Sequence, residues 1–217
     1  MMDSDSARQQ MVDQQVRTWD VFDEDVLEAM SAVAREHYVP DAFRHCAYAD
    51  AEIPLPHGQC MLRPSLAGRI LQAVGVRAGD RVLEIGTGTG YLTSCIAQMA
   101  ASVVSVDLYE EFIQGARSAL EHDGVNNVTL HCMDATTDLP EGDFDVIIVT
   151  ASMPAVDPRF IASMKPLGRL FVVVGDAPAM SAMLVERPEQ GEATMEELFE
   201  TDIPALVAPS RPPEFSF

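Results

Sequence analysis

The segment of this chain that most constrains its fold is a short apolar run leading into three glycines at alternate positions. The run, 82–85, reads Val-Leu-Glu-Ile, and the glycines are Gly86, Gly88 and Gly90. Its branched apolar side chains predict a buried strand, and the Ala- and Leu-containing segment 91–101 predicts a helix. Glycines let a ligand approach the backbone closely, and the free N–H groups of a helix N-terminus favour an anionic group. The segment therefore predicts a ligand-binding turn between a strand and a helix.

The spacing of the glycines narrows the class of ligand. A dinucleotide-binding turn usually has the pattern G-x-G-x-x-G, whose last glycine would fall on Tyr91. The observed G-x-G-x-G, preceded by an acid, is instead the pattern with which class I methyltransferases hold S-adenosylmethionine. The candidate cofactor-binding residues of this segment are Glu84, Gly86, Thr87, Gly88 and Gly90.

A second acid supports a nucleoside ligand. Residues 102–106 predict the next strand, and Asp107 follows it directly. A carboxylate at the tip of the second strand of such a unit, about 20 residues after the glycines, binds the ribose hydroxyls. A solvated loop acid is the alternative for a single Asp, but the distance from the glycine turn favours the ribose contact. We therefore predict that Asp107 and its neighbour Leu108 bind the cofactor.

Length and composition predict one α/β domain in the cytoplasm. The chain has 217 residues, of which 47% are hydrophobic, and no internal repeat divides it. We predict a single methyltransferase domain over 1–217, with a helical, substrate-side segment at 1–76 and the cofactor-binding sheet at 77–217. No segment approaches the ~18 apolar residues of a membrane span, and the N-terminus lacks the features of a signal peptide. Four cysteines without a C-x-x-C pair predict neither a zinc site nor a disulfide framework, so no metal is expected.

The charge of the chain disfavours polyanionic partners. Its formal net charge is −20, because 34 acidic residues face 14 Lys and Arg. Binding to nucleic acid begins with neutralisation of phosphates by Lys and Arg. We therefore expect no nucleic-acid partner and no anionic membrane.

Hydrophobic periodicity and helix breakers predict alternating strands and helices. The predicted helices are 6–17, 23–35, 64–76, 91–101 and 109–122. The predicted strands are 82–85, 102–106, 128–132, 144–150 and 169–174. Residues 180–187 and 194–202 predict a terminal antiparallel pair, because the linker between them is too short for a helical crossover. The pattern predicts a doubly wound, mostly parallel, Rossmann-like sheet with N-terminal helices and a C-terminal antiparallel strand pair, binding ligands at the carboxyl ends of its strands.

That rule adds candidates after the third and fourth strands. Asp134 and Ala135 follow the third strand, where Asp134 either accepts a hydrogen bond from the adenine amino group or caps a loop. Thr150 ends the fourth strand and is followed by Ala-Ser-Met. Methyltransferases that act on amino groups of bases usually carry Asn/Asp-Pro-Pro-aromatic at this point. The sequence therefore disfavours such an acceptor.

Further motifs extend over nearly the whole chain. They are Asp-Gln-Gln-Val-Arg at 13–17, Arg-Glu-His-Tyr-Val-Pro at 35–40, Ala-Tyr-Ala-Asp at 47–50, Ile-Pro-Leu at 53–55, His-Gly-Gln at 57–59 and Leu-Gly-Arg-Leu at 167–170. With the glycine turn and the fourth strand, this set resembles the protein-L-isoaspartate O-methyltransferase family. The resemblance implies S-adenosyl-L-methionine as methyl donor. It also implies that the acceptor is the free α-carboxylate of an isoaspartyl residue in a damaged protein, methylated as the first step of repair.

The chain departs from the family pattern after Gln59. Relatives that repair isoaspartate typically continue Thr-Ile-Ser-x-Pro, whereas this chain reads Cys-Met-Leu-Arg-Pro, so Leu62 replaces the serine. Leucine offers no hydrogen bond in place of that hydroxyl. Arg63 either binds a carboxylate bidentately or faces solvent, and His57 either orients the acceptor or is structural. The candidate residues on the acceptor side are His57, Gln59, Leu62 and Arg63.

Three functions are compatible with these residues. The first is a protein carboxyl methyltransferase of the isoaspartyl type. The second is a methyltransferase of the same fold that acts on a small-molecule carboxylate or hydroxyl, which the leucine favours. The third is a non-catalytic regulatory module that binds the cofactor. A carboxylate with an ordinary pKa near ~4 is ionised at neutral pH, so the lack of an obvious general base does not disfavour an enzyme.

Overall fold

The structure, a computed structural model, describes residues 4–207. Helix α1 (Ser4–Met11) continues as a π-helical turn at Val12–Val16 and a 3-10 turn at Arg17–Trp19. Helix α2 (Glu24–Ala32) follows, and the side chain of Asp23 caps its N-terminus by accepting from two backbone amides. Two 3-10 turns, Arg35–His37 and Asp41–Cys46, lead into the central domain. The two predicted N-terminal helices are therefore present, but the predicted helix 6–17 is α-helical only to Met11.

A seven-stranded sheet forms the centre of the described fold, in the order β5-β4-β3-β6-β7-β8-β9. The first five strands are parallel, and β8 and β9 are antiparallel. Their bounds are β3 (Arg81–Ile85), β4 (Ser102–Asp107), β5 (Val128–Cys132), β6 (Phe144–Met153), β7 (Met164–Asp176), β8 (Ala179–Glu186) and β9 (Thr194–Thr201). This order confirms the predicted doubly wound sheet and its terminal antiparallel pair.

Helices flank the sheet and bury its apolar side chains. They are α3 (Pro64–Val74), α4 (Tyr91–Met99), α5 (Glu110–His122) and α6 (Pro158–Ala162). Successive side chains of a strand point to opposite faces, so Val82 and Leu83 belong to two different hydrophobic clusters. The buried sheet is therefore covered on both faces, as parallel sheets are.

Several boundaries differ from the predicted ones for local reasons. Helix α3 ends at Val74 rather than near Val76, because Gly75 adopts the left-handed conformation that terminates helices. Helix α4 ends at Met99 instead of 101. Strands β6 and β7 run past the predicted ends at 150 and 174, because each gains further pairing with its neighbours in the sheet.

A small hairpin lies between α2 and α3 and was not predicted. It consists of β1 (Ile53–Pro54) and β2 (Cys60–Met61), joined through a 3-10 turn at Pro56–Gly58. Strands of two residues carry no periodicity, which is why the sequence did not indicate them. No helix within residues 4–207 is long and apolar enough to span a membrane. The single-domain assignment over 1–217 stays a prediction, and residues 1–3 and 208–217 lie outside the described range.

Candidate functional site

A cleft of about 650 Å³ opens at the carboxyl ends of β3, β4 and β6. Predicted residues that line it are Gly86, Gly88, Asp107, Leu108, Ala135, Thr150 and Gln59. A second cleft of about 400 Å³ adjoins the first, and both are lined by Cys60, Gly86, Gly88 and Thr150. The second cleft also contacts Thr87 and Leu62. The predicted cofactor side and part of the predicted acceptor side thus meet at one edge of the sheet.

The glycine turn owes its shape to positive φ angles. They are 99° at Gly86, 51° at Gly88 and 86° at Gly90. A Cβ on Gly86 would overlap the Thr150 hydroxyl, which donates to the carbonyls of Ile85 and Gly86 at 2.9 and 3.0 Å. A Cβ on Gly90 would lie 3.0 Å from that of Ala116, so this glycine permits close packing against α5. Gly86 and Gly88 therefore face the cleft, whereas Gly90 sets the position of α4.

Asp107 connects the end of β4 to the glycine turn. Its Oδ2 accepts from the amide of Gly88 at 2.9 Å, and its Oδ1 accepts from the amide of Tyr109 at 3.0 Å. The side chain lines the larger cleft, and burial raises the pKa of its carboxyl despite these backbone hydrogen bonds. Each carboxylate oxygen retains a lone pair for a further donor. Asp107 is thus well placed for the predicted contact with two hydroxyls.

Glu84 lies beneath the turn and has no exposed surface. Its Oε2 accepts from the hydroxyls of Thr93 and Ser105, each at 2.5 Å, and Thr87 in turn donates to Ser105 at 2.6 Å. Burial raises the pKa of Glu84 to about 7. Glu84 thus supports the turn from below through Ser105, and its contact with the cofactor stays a prediction.

Asp134 contacts its own loop. Its Oδ1 accepts from both the amide and the hydroxyl of Thr136, at 2.9 and 2.6 Å. These hydrogen bonds outweigh partial burial and lower the pKa of its carboxyl. The loop-capping alternative is the contact seen, while its neighbours Met133 and Ala135 line the cleft.

His57 lies against the cofactor side rather than the acceptor side. Its ring stacks on that of Tyr109 with centroids 3.8 Å apart and planes 5° from parallel. Its Nε2 lies 2.6 Å from Oε1 of Glu111 on α5. Tyr109 itself lines the larger cleft, as does Gln59 two residues after His57. The contacts favour the structural alternative for His57.

Leu62 and Arg63, at which the chain departs from the family pattern, point in different directions. Leu62 lines the smaller cleft, and its carbonyl accepts from Nη2 of Arg35 at 2.8 Å. Arg63 instead places its guanidinium 5.0 Å from the centre of the Trp19 ring. It is not among the residues that line either cleft. The structure therefore does not bring Arg63 to the position of a carboxylate ligand.

Sequence reasoning missed several residues that shape the site. Arg35 is completely buried, donates to the carbonyls of Ala47 and Leu62, and lies 4.6 Å from the centre of the Tyr91 ring. Arg35 is the first residue of the motif at 35–40, and its place in that motif was the sequence signal that could have indicated a role. The cleft is also closed by side chains for which no pattern gave a signal, namely Tyr109, Phe112, Met133, Pro204 and Leu206.

The doubly wound sheet, the G-x-G-x-G turn and the acid at the end of the next strand define a class I S-adenosylmethionine-dependent methyltransferase. The family model described as protein-L-isoaspartate(D-aspartate) O-methyltransferase matches residues 6–207. The chain belongs to this family.

Relatives named protein-L-isoaspartate O-methyltransferase cover most of the chain. The protein of Koribacter versatilis is 36% identical over 185 residues, covering 85% of this chain and 83% of the relative. Protein-L-isoaspartate O-methyltransferase 2 of Pelobacter propionicus is 37% identical over 186 residues, covering 85% of this chain and 82% of the relative. A crystal structure from Plasmodium falciparum, described as an enzyme of this kind with S-adenosyl-L-homocysteine, matches with a TM-score of 0.82 at 20% identity, covering 92% of this chain and 98% of the other. At that identity the likeness demonstrates the fold.

Proposed function

We propose that this chain transfers the methyl group of S-adenosyl-L-methionine to the free α-carboxylate of an L-isoaspartyl residue in a protein substrate. The observation that carries the proposal is the pair of joined clefts in a chain that matches the family over 6–207. The larger cleft brings Asp107 and the glycine turn together at the carboxyl ends of the strands, where such sheets bind their ligands. The smaller one adjoins it at the glycine turn, where a methyl acceptor would have to lie.

The cofactor would be held by residues at the strand ends. Asp107 supplies carboxylate oxygens for the ribose hydroxyls, and Gly86 and Gly88 leave the backbone open to close approach. Leu108 and Ala135 offer apolar surface for the base. When bound, the cofactor supplies an electrophilic methyl group on a sulfonium.

The protein's contribution to the reaction is alignment and exclusion of water. A carboxylate acceptor is already ionised at neutral pH, so no side chain has to remove a proton. The apolar side chains of Leu62 and Leu92 bound the smaller cleft and displace water that would solvate an attacking anion. Gln59 lines the larger cleft, and its amide can donate to an acceptor carboxylate that reaches the junction of the two clefts. Alignment alone can contribute ~7–11 kcal/mol to such a reaction.

A second candidate is a methyltransferase of the same fold with a small acidic molecule as acceptor. Leu62 lines the smaller cleft and offers no hydroxyl. An apolar wall at that point offers no partner to the N–H and C=O groups of a peptide backbone, and a small acceptor has fewer such groups to satisfy.

The experiment is methyl transfer from radiolabelled cofactor to a short peptide containing L-isoaspartate, with the same peptide containing L-aspartate as matched control. We expect label in the isoaspartyl peptide alone, and less of it with Asp107→Ala at a cofactor concentration that does not saturate the variant. Label transferred to a small carboxylic acid, with neither peptide modified, would favour the second candidate. Cofactor binding without transfer to either acceptor would favour the non-catalytic alternative.

A further inference from the structure

Two histidines and an aspartate meet on the surface of the protein, and none of them lines either cleft. His37 ends the turn Arg35–His37, His122 is the last residue of α5, and Asp123 follows it. Nδ1 of His37 lies 2.7 Å from Oδ1 of Asp123, and the two imidazole rings meet edge to face with centroids 5.0 Å apart. One nitrogen or oxygen from each residue lies within 4.8 Å of those of the other two.

The three donors are of the types that zinc prefers. Imidazole nitrogens at about 2.0–2.1 Å and a carboxylate oxygen at about 2.0–2.2 Å form tetrahedral sites, in which ligand atoms lie roughly 3.3 Å apart. Movements of about 1.5 Å or less would bring the three atoms to that spacing, and the side chain of His37 is 39% exposed. Three protein ligands leave one position for water.

The surroundings favour a cation at this point. The carbonyl end of α5 carries the negative end of its helix dipole, and the chain has a formal net charge of −20. Arg44 lines the groove beside His37 and His122, but its charge is paired with Asp41 at 2.6 Å. Glu36, in the same groove, adds a further acid.

We propose that His37, His122 and Asp123 form a surface site for a divalent transition-metal ion, with Zn²⁺ as the best-matched candidate. The site is independent of the methyl-transfer proposal, because none of its residues lines either cleft. A bound ion would link the turn Arg35–His37 to the end of α5. Arg35 belongs to that turn and donates to the carbonyl of Leu62. The ion would therefore also fix the position of the arginine that supports the acceptor-side residue Leu62. Ligands that bind only the folded state stabilise it by mass action.

The test is a titration of the metal-free, full-length protein with Zn²⁺ alone, followed by calorimetry and by the melting temperature. We expect one ion per chain, and a rise in melting temperature with zinc. His37→Ala and His122→Ala should each weaken zinc binding by at least about tenfold, and Asp123→Asn should also weaken it, because each removes one ligand. His131→Ala on β5 is the matched control and should bind zinc as the wild type does.

The outcomes separate a site formed by all three residues from adventitious zinc binding elsewhere on the protein. Absence of zinc binding, or affinity unchanged in both His37→Ala and His122→Ala, would overturn the proposal. Loss in only one of the two variants would also overturn it, because the site requires both imidazoles. An equal loss in His131→Ala would place the ion at a site that includes His131 and would also overturn the proposal. Melting temperatures of the variants without metal show whether each still folds, so that a lost fold is not mistaken for a lost ligand.

Discussion

Replacement of Asp107 by alanine tests the ribose contact most directly. The carboxylate lines the larger cleft and is already hydrogen-bonded to the amides of Gly88 and Tyr109. A hydrogen bond to a charged group contributes about 1.5–3 kcal/mol. Loss of the contact with the cofactor should therefore raise its dissociation constant about 10- to 150-fold.

The same substitution has a separate effect on stability. It leaves the amides of Gly88 and Tyr109 without their acceptor, and an unsatisfied buried donor costs about 1–3 kcal/mol. Water that enters the cleft can satisfy part of this loss, so we expect about 1–3 kcal/mol in the free energy of unfolding rather than twice that value. Asp107→Asn keeps one acceptor oxygen and should lose less stability than Asp107→Ala.

Calorimetry with S-adenosyl-L-homocysteine, at a temperature where urea unfolding shows the variant to be folded, measures the binding term alone. NAD should give no heat with the wild type, because the third glycine of the dinucleotide pattern is Tyr91. Asp134→Ala tests the adenine contact separately, and we expect the dissociation constant to change little because that carboxylate accepts from the amide and hydroxyl of Thr136. An unchanged constant in a folded Asp107→Ala protein would refute the assignment of Asp107 to the ribose.

The remaining predictions concern the acceptor segment, the glycine turn and the buried acid. Wild-type turnover of an isoaspartyl peptide should be weak, because the missing serine hydroxyl costs roughly 10²–10³ in rate. Leu62→Ser should recover part of that loss in radiolabelled methyl transfer. Fast wild-type turnover that the serine does not improve would show that the leucine is neutral. Arg63→Ala should leave the acceptor KM nearly unchanged because the guanidinium lies over Trp19, and a large rise in KM would restore it as an acceptor ligand. Gly86→Ala should abolish cofactor binding in calorimetry, since its Cβ would overlap Thr150 at a φ of 99°. The pKa of Glu84 is raised to about 7 by burial, so its contribution to stability is present below about 4.5 and is lost as pH rises through 7. Relative to Glu84→Gln, the wild type should lose up to about 3 kcal/mol over that range in urea unfolding, and parallel pH profiles of the two proteins would contradict this.

The part of the site that follows from local sequence was predictable. Apolar strands, the glycine turn and the acid at the end of the next strand lie within 26 consecutive residues from Val82 to Asp107. Parallel strands bring their carboxyl ends to one edge of the sheet, so Gly86, Asp107 and Thr150 had to meet there. For such residues the periodicity of the chain determines the side and the end of the sheet.

The direction of individual side chains was not predictable. Glu84 belongs to the cofactor motif, yet its carboxylate lies below the turn, because the pleat of β3 points it at Thr93 and Ser105. Arg63 precedes α3 and lies over Trp19, a residue 44 positions earlier whose proximity no spacing indicated. Local pattern limits where a backbone lies, while side-chain contacts depend on which other elements pack beside it.

The sequence by itself determined the strand and helix pattern, the cofactor turn and the family. Only the tertiary structure decided that Arg35 holds the carbonyl of Leu62, 27 positions away, and that His37 meets Asp123, 86 positions away. The physical reason is that hydrophobic burial specifies which faces of α4, α5 and the sheet come together without regard to the polar side chains at their margins. Those side chains therefore acquire their partners only when the elements have packed.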